Sequence, residues 1–278
     1  MHRISIIALS LALSISLTVP KVSAQTVLGD DIYVVPDSSA SSIAMAAWID
    51  GDIVMSAMGE NTSEAPLNAI RYSAKEANWP TARVRALTFD KSKGGVLHPI
   101  TDETLLYVLE GSARVGVGDT TVALSAGDVV SFPSGTLTNH NVEMDAIIVT
   151  WTTPSLTGER TPTHVRWADV EEGGFGPIKL RRYSFPGNSV RAVKLAAGGS
   201  TNPNSAKTDS LIYVTAGPMT FFQNGQEFVV DRGDFIREIA GAMHHWNIQS
   251  DSGFVTTSGL PLDMGNIDPD KATDVPPR

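Results

Sequence analysis

Val84-Arg85-Ala86 recurs as Val190-Arg191-Ala192, and the register between them, 106 residues, never slips: Tyr107-Val108 returns as Tyr213-Val214, Gly111 as Gly217, Gly127-Asp128 as Gly233-Asp234, Gly135 as Gly241 and Asn141 as Asn247. Self-similarity at one fixed offset is the mark of a duplicated unit, and a period this long is a small domain rather than a solenoid repeat. The chain therefore divides into two related halves. Within each half, short runs rich in Val, Ile, Leu, Phe and Thr are broken by Gly, Pro and Asp every few residues, as in Leu105 to Leu109, Ala113 to Val117, Thr121 to Leu124 and Val129 to Phe132. Evenly spaced short strands of this kind predict an all-β antiparallel sandwich or barrel with little helix, Trp167 to Glu172 being the best short helical candidate.

Residues 1–24 carry Arg3, an apolar stretch from Ile4 to Val19 and Val22-Ser23-Ala24, the small-x-small spacing of a signal peptidase site. They are expected to be an export leader, which places the mature chain in the periplasm or outside the cell. Residues 25–80 are expected to form an arm with extra strands, including a hairpin at Asp50-Gly51; residues 81–152 the first barrel, 153–165 a linker, 166–262 the second barrel, and 263–278 a loosely ordered tail. Without the leader, which holds Arg3 and Lys21 and no acids, 19 basic residues face 30 acidic ones, a formal charge of about −11. Such a surface repels nucleic acid and anionic lipid, so the expected partner is a small molecule, with no membrane association after cleavage and homo-oligomerisation left open. The absence of cysteine excludes disulfide staples, thiolate catalysis and Cys-ligated metals.

Two segments carry a resemblance. Thr104-Leu105-Leu106-Tyr107-Val108-Leu109-Glu110-Gly111 looks like the end of the first cupin motif, G-x5-H-x-H-x3-4-E-x6-G. Gly127-Asp128-Val129-Val130-Ser131-Phe132-Pro133-Ser134-Gly135 looks like the start of the second, G-x5-P-x-G-x2-H-x3-N. The chain resembles a bicupin, which implies two tandem double-stranded β-helix (jelly-roll) barrels over about residues 83 to 260. In that family three His and a Glu commonly hold a divalent metal. Counting from the anchors puts those positions at His98, Ile100, Thr104 and Thr138 in the first repeat and at Asn204, Ala206, Ser210 and His244 in the second. Each repeat keeps one ligand of four, and a single imidazole does not retain Fe, Mn or Ni.

Strand parity adds a candidate. If position 138 faces the barrel interior, so does His140 two residues on, which would bring His98 and His140 together in the first barrel. The two imidazoles are the predicted catalytic acid and base. Arg85 is predicted to bind a substrate carboxylate through its guanidinium fork, or else to pair with Glu110 or Asp128. Tyr107, Glu103 (if a bulge turns it inward) and His244 complete the substrate-binding candidates. Lys194 marks its own strand face as exposed, leaving the repeated Arg on the buried one. His164 and His245 read as surface residues, and the repeated Gly-Asp pairs as turn chemistry.

The expectation is an exported bicupin acting as a non-redox isomerase or lyase on a small organic acid, carbonyl compound or sugar derivative, with no cofactor. Two alternatives stand beside it: an oxygenase or lyase with one Fe, Zn or Mn held by His98, His140 and Glu103, and a non-catalytic bicupin that binds a small molecule or serves a structural role.

Overall fold

The computed structural model describes residue 28 and residues 33–43, 72–79, 82–89, 98–99, 103–117, 120–133, 137–142, 146–153, 161–186 and 188–260. The expected leader, the Asp50-Gly51 hairpin and the tail lie outside them. Strands dominate, joined among the described residues by a single 3-10 turn at Trp167–Asp169 in place of the predicted helix to Glu172, which instead begins an edge strand. Within these residues no helix is long and apolar enough to cross a membrane.

Two barrels are present, each built from a seven-stranded and a four-stranded antiparallel sheet, and the strand orders correspond one to one. In barrel 1 the large sheet runs Thr163–Val165, Val129–Phe132, Glu103–Glu110, Ala146–Thr153, Ala82–Phe89, Tyr72–Trp79, Ser41–Ile43. In barrel 2 it runs Val34–Val35, Phe235–Glu238, Asp209–Ala216, Ser252–Leu260, Asn188–Leu195, Ile178–Phe185, Glu172–Phe175. Tyr72–Trp79 stands where Ile178–Phe185 stands in the second barrel, so this part of the arm is a full member of the barrel 1 sheet. The double-stranded β-helix fold expected from the repeated motifs is what the strand order describes.

The large sheets are apolar on both faces, which is why their strands do not alternate cleanly. On one face Val84, Ala86, Leu105 and Trp151 of barrel 1 meet Tyr183, Val190, Leu211 and Phe235 of barrel 2 in a single core between the barrels. On the other face Val193, Leu195, Ile212, Phe221 and Ile236 form a second apolar cluster inside barrel 2. Lys194 is exposed, yet Val190 and Ala192 on its face pack between the barrels. That face is covered by the sister barrel rather than by solvent.

The segments preceding the barrels are exchanged. Val34–Val35, which precedes barrel 1, pairs with Phe235–Glu238 of barrel 2. Thr163–Val165, which precedes barrel 2, pairs with the equivalent strand of barrel 1. The repeated Gly-Asp pairs hold both exchanges. Asp128 accepts from Ser125 N at 3.0 Å and from Trp167 N at 2.8 Å; Asp234 accepts from Asp231 N and Asp37 N, each at 2.8 Å. His164 joins the first exchange, its Nε2 3.3 Å from Asp128 Oδ2, so it is half-buried rather than on the surface. Gly127 and Gly233 have φ of +94° and +100°, and a Cβ at either would lie 2.5 Å from Trp167 or 2.9 Å from Asp37. Only glycine meets both demands.

This exchange predicts a displaced effect. Val35 is buried in the shared core, and Val35→Asp would bury an unpaired carboxylate there, at a cost of about 2–4 kcal/mol. Hydrogen exchange should then rise first at Phe235–Glu238 of barrel 2, 200 residues away in sequence. Loss of protection confined to barrel 1 would contradict the pairing.

Candidate functional site

Barrel 2 contains a cavity of about 910 Å³ whose wall includes Ile178, Leu180, Val193, Leu195, Trp246 and Phe254, with Arg191, Asn204, Glu238 and His244 as its main polar groups. Strand parity explains this lining. Ile178 and Leu180 lie opposite Leu195 and Val193, and Arg191 opposite Thr256, so all face one way. His244 lies across from Asn204, the same pairing that Thr138 makes with residue 98 in barrel 1.

Glu238 and His244 are both buried, with His244 Nε2 3.5 Å from Glu238 Oε1. His244 Nδ1 sits 3.4 Å from the carbonyl oxygen of Ala242, and Trp246 hydrogen-bonds the Glu238 carboxylate. Burial pushes the Glu238 carboxyl above the usual carboxylate range, and the charges of His244 and Arg191 and the Trp246 hydrogen bond only partly oppose it. Arg191 is half-buried; desolvation, then the nearby Arg182, lower its pKa, and Glu238 raises it. A carboxyl held closer to neutrality beside an imidazole is a group that can take or give a proton at working pH.

The strand bearing Glu238 is clamped on both sides. Arg237 forms a buried ion pair with Asp209 at 2.9 Å and donates its backbone N–H to Tyr33 of the exchanged arm at 2.8 Å. Gln223, fully buried, donates to Arg237 O at 3.1 Å and accepts from Ile239 N at 3.0 Å. The arm thus helps to fix the position of Glu238.

The residues picked from the sequence fall in different places. His244 is in the cavity. Residue 98 pairs with 138, and 140 with Val115, which is fully buried. Their repeat partners Asn204 and Trp246 both line the barrel 2 cavity. The side chains of His98 and His140 are outside the described set, and so is the convergence expected of their rings.

Arg85 is buried, but its Nε is 2.5 Å from Glu76 Oε2. An acid of the chain itself occupies the fork predicted for a substrate, and it comes from the arm rather than from Glu110, which pairs with Arg232, or Asp128. Tyr107 has the opposite parity from Arg85: Thr150 faces both Arg85 and Leu106, which turns Tyr107 toward the other barrel. It packs edge-on against Tyr183, ring centroids 6.2 Å apart, and burial pushes its phenol up to about 12. Glu103 shares the parity of Tyr107, because the irregularity in its strand falls beside Leu109 and not at Glu103. His245, read as a surface residue, is half-buried and stacks on Phe222 at 4.2 Å.

Glu238 was not among the sequence candidates. The repeat held the signal: Glu238 stands where barrel 1 has Phe132. An acid in place of a core aromatic, in a strand buried at all four positions, puts a polar group in the barrel 2 interior.

The metal positions of the resembling motif do not fit an ion. In barrel 2 they are Asn204, Ala206, Ser210 and His244, a donor set with one imidazole and no carboxylate. Among the described residues no group of three His, Asp or Glu could hold one.

Glu238→Gln should raise the melting temperature at pH 8. The raised carboxyl pKa means that the folded state binds its proton more tightly than the unfolded chain. The burial penalty is absent below the unfolded value and complete above the folded one. The gain from the neutral amide should therefore shrink as pH falls toward 4.5, the group's ordinary value. A gain independent of pH, by scanning calorimetry, would contradict the assignment.

The Cupin_2 family model, a cupin domain, matches residues 88–149. AerE from Microcystis aeruginosa is similar in structure, with a TM-score of 0.61 at 10% identity over 70% of this chain and 94% of that chain. Oxalate decarboxylase from Lactobacillus farciminis, solved as its formate complex, gives 0.63 at 12% identity over 88% of this chain and 97% of the other. A variant of Bacillus subtilis oxalate decarboxylase gives 0.63 at 13% identity over 87% and 80%. These likenesses show a cupin β-barrel fold, and at such identities they do not carry a reaction across. No curated protein matches the chain in sequence.

Proposed function

We propose that the chain is a small-molecule enzyme of the isomerase or lyase type whose site is the cavity of barrel 2. The observation that carries this reading is the buried Glu238–His244 pair, 3.5 Å apart, on the wall of a cavity large enough for a drug-sized ligand. The cavity wall is mainly apolar, with a few convergent polar groups, the usual composition of a site that grips a carbon skeleton and works on one end of it.

In this reading Glu238 takes a proton from a carbon next to a carbonyl, and the released electron pair moves onto the carbonyl oxygen. Protonated His244 supports that oxygen or returns a proton to a neighbouring carbon or a leaving group. No redox partner is needed for atoms and charge to balance. The chemistry is the kind expected of His98 and His140, transferred to the second barrel and to a carboxyl–imidazole pair. The export leader would deliver the enzyme to the periplasm or beyond, to be checked by fractionating cells that express the full chain.

The test is solvent-deuterium incorporation, followed by NMR, into small carbonyl compounds and organic acids with an acidic C–H. Wild-type protein should catalyse exchange at that carbon. A ligand that binds in barrel 2 without any exchange would favour the non-catalytic binding protein instead.

A further inference from the structure

The duplication supplies an internal control on the charge of the site. In barrel 1 the cross-strand partner of Arg85 is Glu76, and the two close a buried ion pair. The equivalent pair in barrel 2 is Arg191 and Arg182. A second guanidinium stands in place of the acid, so Arg191 lacks the cross-strand counter-charge that its twin keeps.

Parity puts both on the cavity side. Ile178 and Leu180 line the cavity, and Arg182 is the next residue of that parity on the same strand. Arg191, Val193 and Leu195 line it from the adjacent strand. Arg182 is exposed and Arg191 half-buried, so the pair grades from solvent toward the interior. Among the described residues the acid that acts on the Arg191 guanidinium is Glu238. Glu238 is, among the described residues, the one acid on the cavity wall, and His244 and Trp246 also engage it.

Two guanidiniums side by side repel each other unless an anion joins them, and the guanidinium fork matches a carboxylate bidentately. The remaining wall dictates the rest of the ligand: Phe175, Leu180, Trp246 and Phe254 offer apolar and aromatic surface, in a volume far beyond a two-carbon acid.

We infer that barrel 2 takes a monocarboxylate with an apolar, aryl-sized body, its carboxylate seated on Arg191 and Arg182 where barrel 1 has the side chain of Glu76. The inference rests on the reading of this cavity as the ligand site, and it adds the class of ligand.

The experiment is titration calorimetry on the full chain with phenylacetate, hydrocinnamate and cinnamate, each beside its primary amide. The acids should bind about tenfold or more tightly than the amides. Arg191→Gln should bring each acid down to its amide and leave amide binding alone. Arg182→Glu rebuilds the pair of barrel 1 at an exposed position, so folding, checked by circular dichroism, is retained; it too should cost the acids about tenfold. Acids and amides binding alike, or Arg182→Glu binding acids as wild type does, overturns this inference and leaves the cavity as a ligand site. Failure of every acid and amide to bind contradicts the reading of the cavity itself, and the inference with it.

Discussion

Trp151→Ala is expected to cost about 3–5 kcal/mol, a large part of the total stability of a typical domain. Trp151 is fully buried in the core between the barrels, and its indole N–H donates to Leu211 O of barrel 2 at 3.0 Å. Truncation leaves an indole-sized hole in a layer to which both barrels contribute, so neither can relax into it alone. Trp151→Phe provides the control. It keeps most of the ring, and Leu211 O retains the Thr256 hydroxyl at 3.0 Å, so only one hydrogen bond is lost, about 1 kcal/mol. Denaturant unfolding of the two variants measures both numbers. Equal losses would mean that the contact between barrels is polar rather than a packed core.

Glu238→Gln should lower the rate of solvent-deuterium exchange into the substrate by about 10²–10⁴-fold, the usual worth of a positioned general base. The amide keeps the shape and the ability to accept from Trp246, so ligand affinity should change far less than rate. Because burial raises the carboxyl pKa, the wild-type rate should rise with pH through a value above the ordinary carboxylate range. That limb should vanish in Glu238→Gln. The groups facing Glu238 that shape the profile are His244, Arg191 and Trp246. A limb that persists in the variant would pass the role of base to His244.

The fold was legible because a duplication writes its register twice. The offset of 106 residues predicted that Asn204 and His244 occupy the places of His98 and Thr138, and both pairs are directly cross-strand. The Gly-Asp pairs were legible as turns, but their second task, gripping a strand from elsewhere in the chain, depends on tertiary contacts that no local pattern encodes. The same limit hid the partner of Arg85: Glu76 lies on a strand that local sequence placed in an arm. Tyr107 looked available because parity along one strand says which residues share a face and not what covers that face. Glu238 and Arg182 were missed for the opposite reason. The matches between the repeats locate the barrels, whereas the positions where the repeats differ in charge, Phe132 against Glu238 and Glu76 against Arg182, point to the proposed site.

We place the working cavity in barrel 2. Thermal-shift measurements with one stabilising carboxylate on wild type, His244→Ala and His98→Ala test it most directly, since a ligand stabilises only the fold that binds it. The expected result is a melting-temperature rise in wild type and His98→Ala that is lost in His244→Ala. A rise that survives in His244→Ala and disappears in His98→Ala would place the site in barrel 1 and contradict the account.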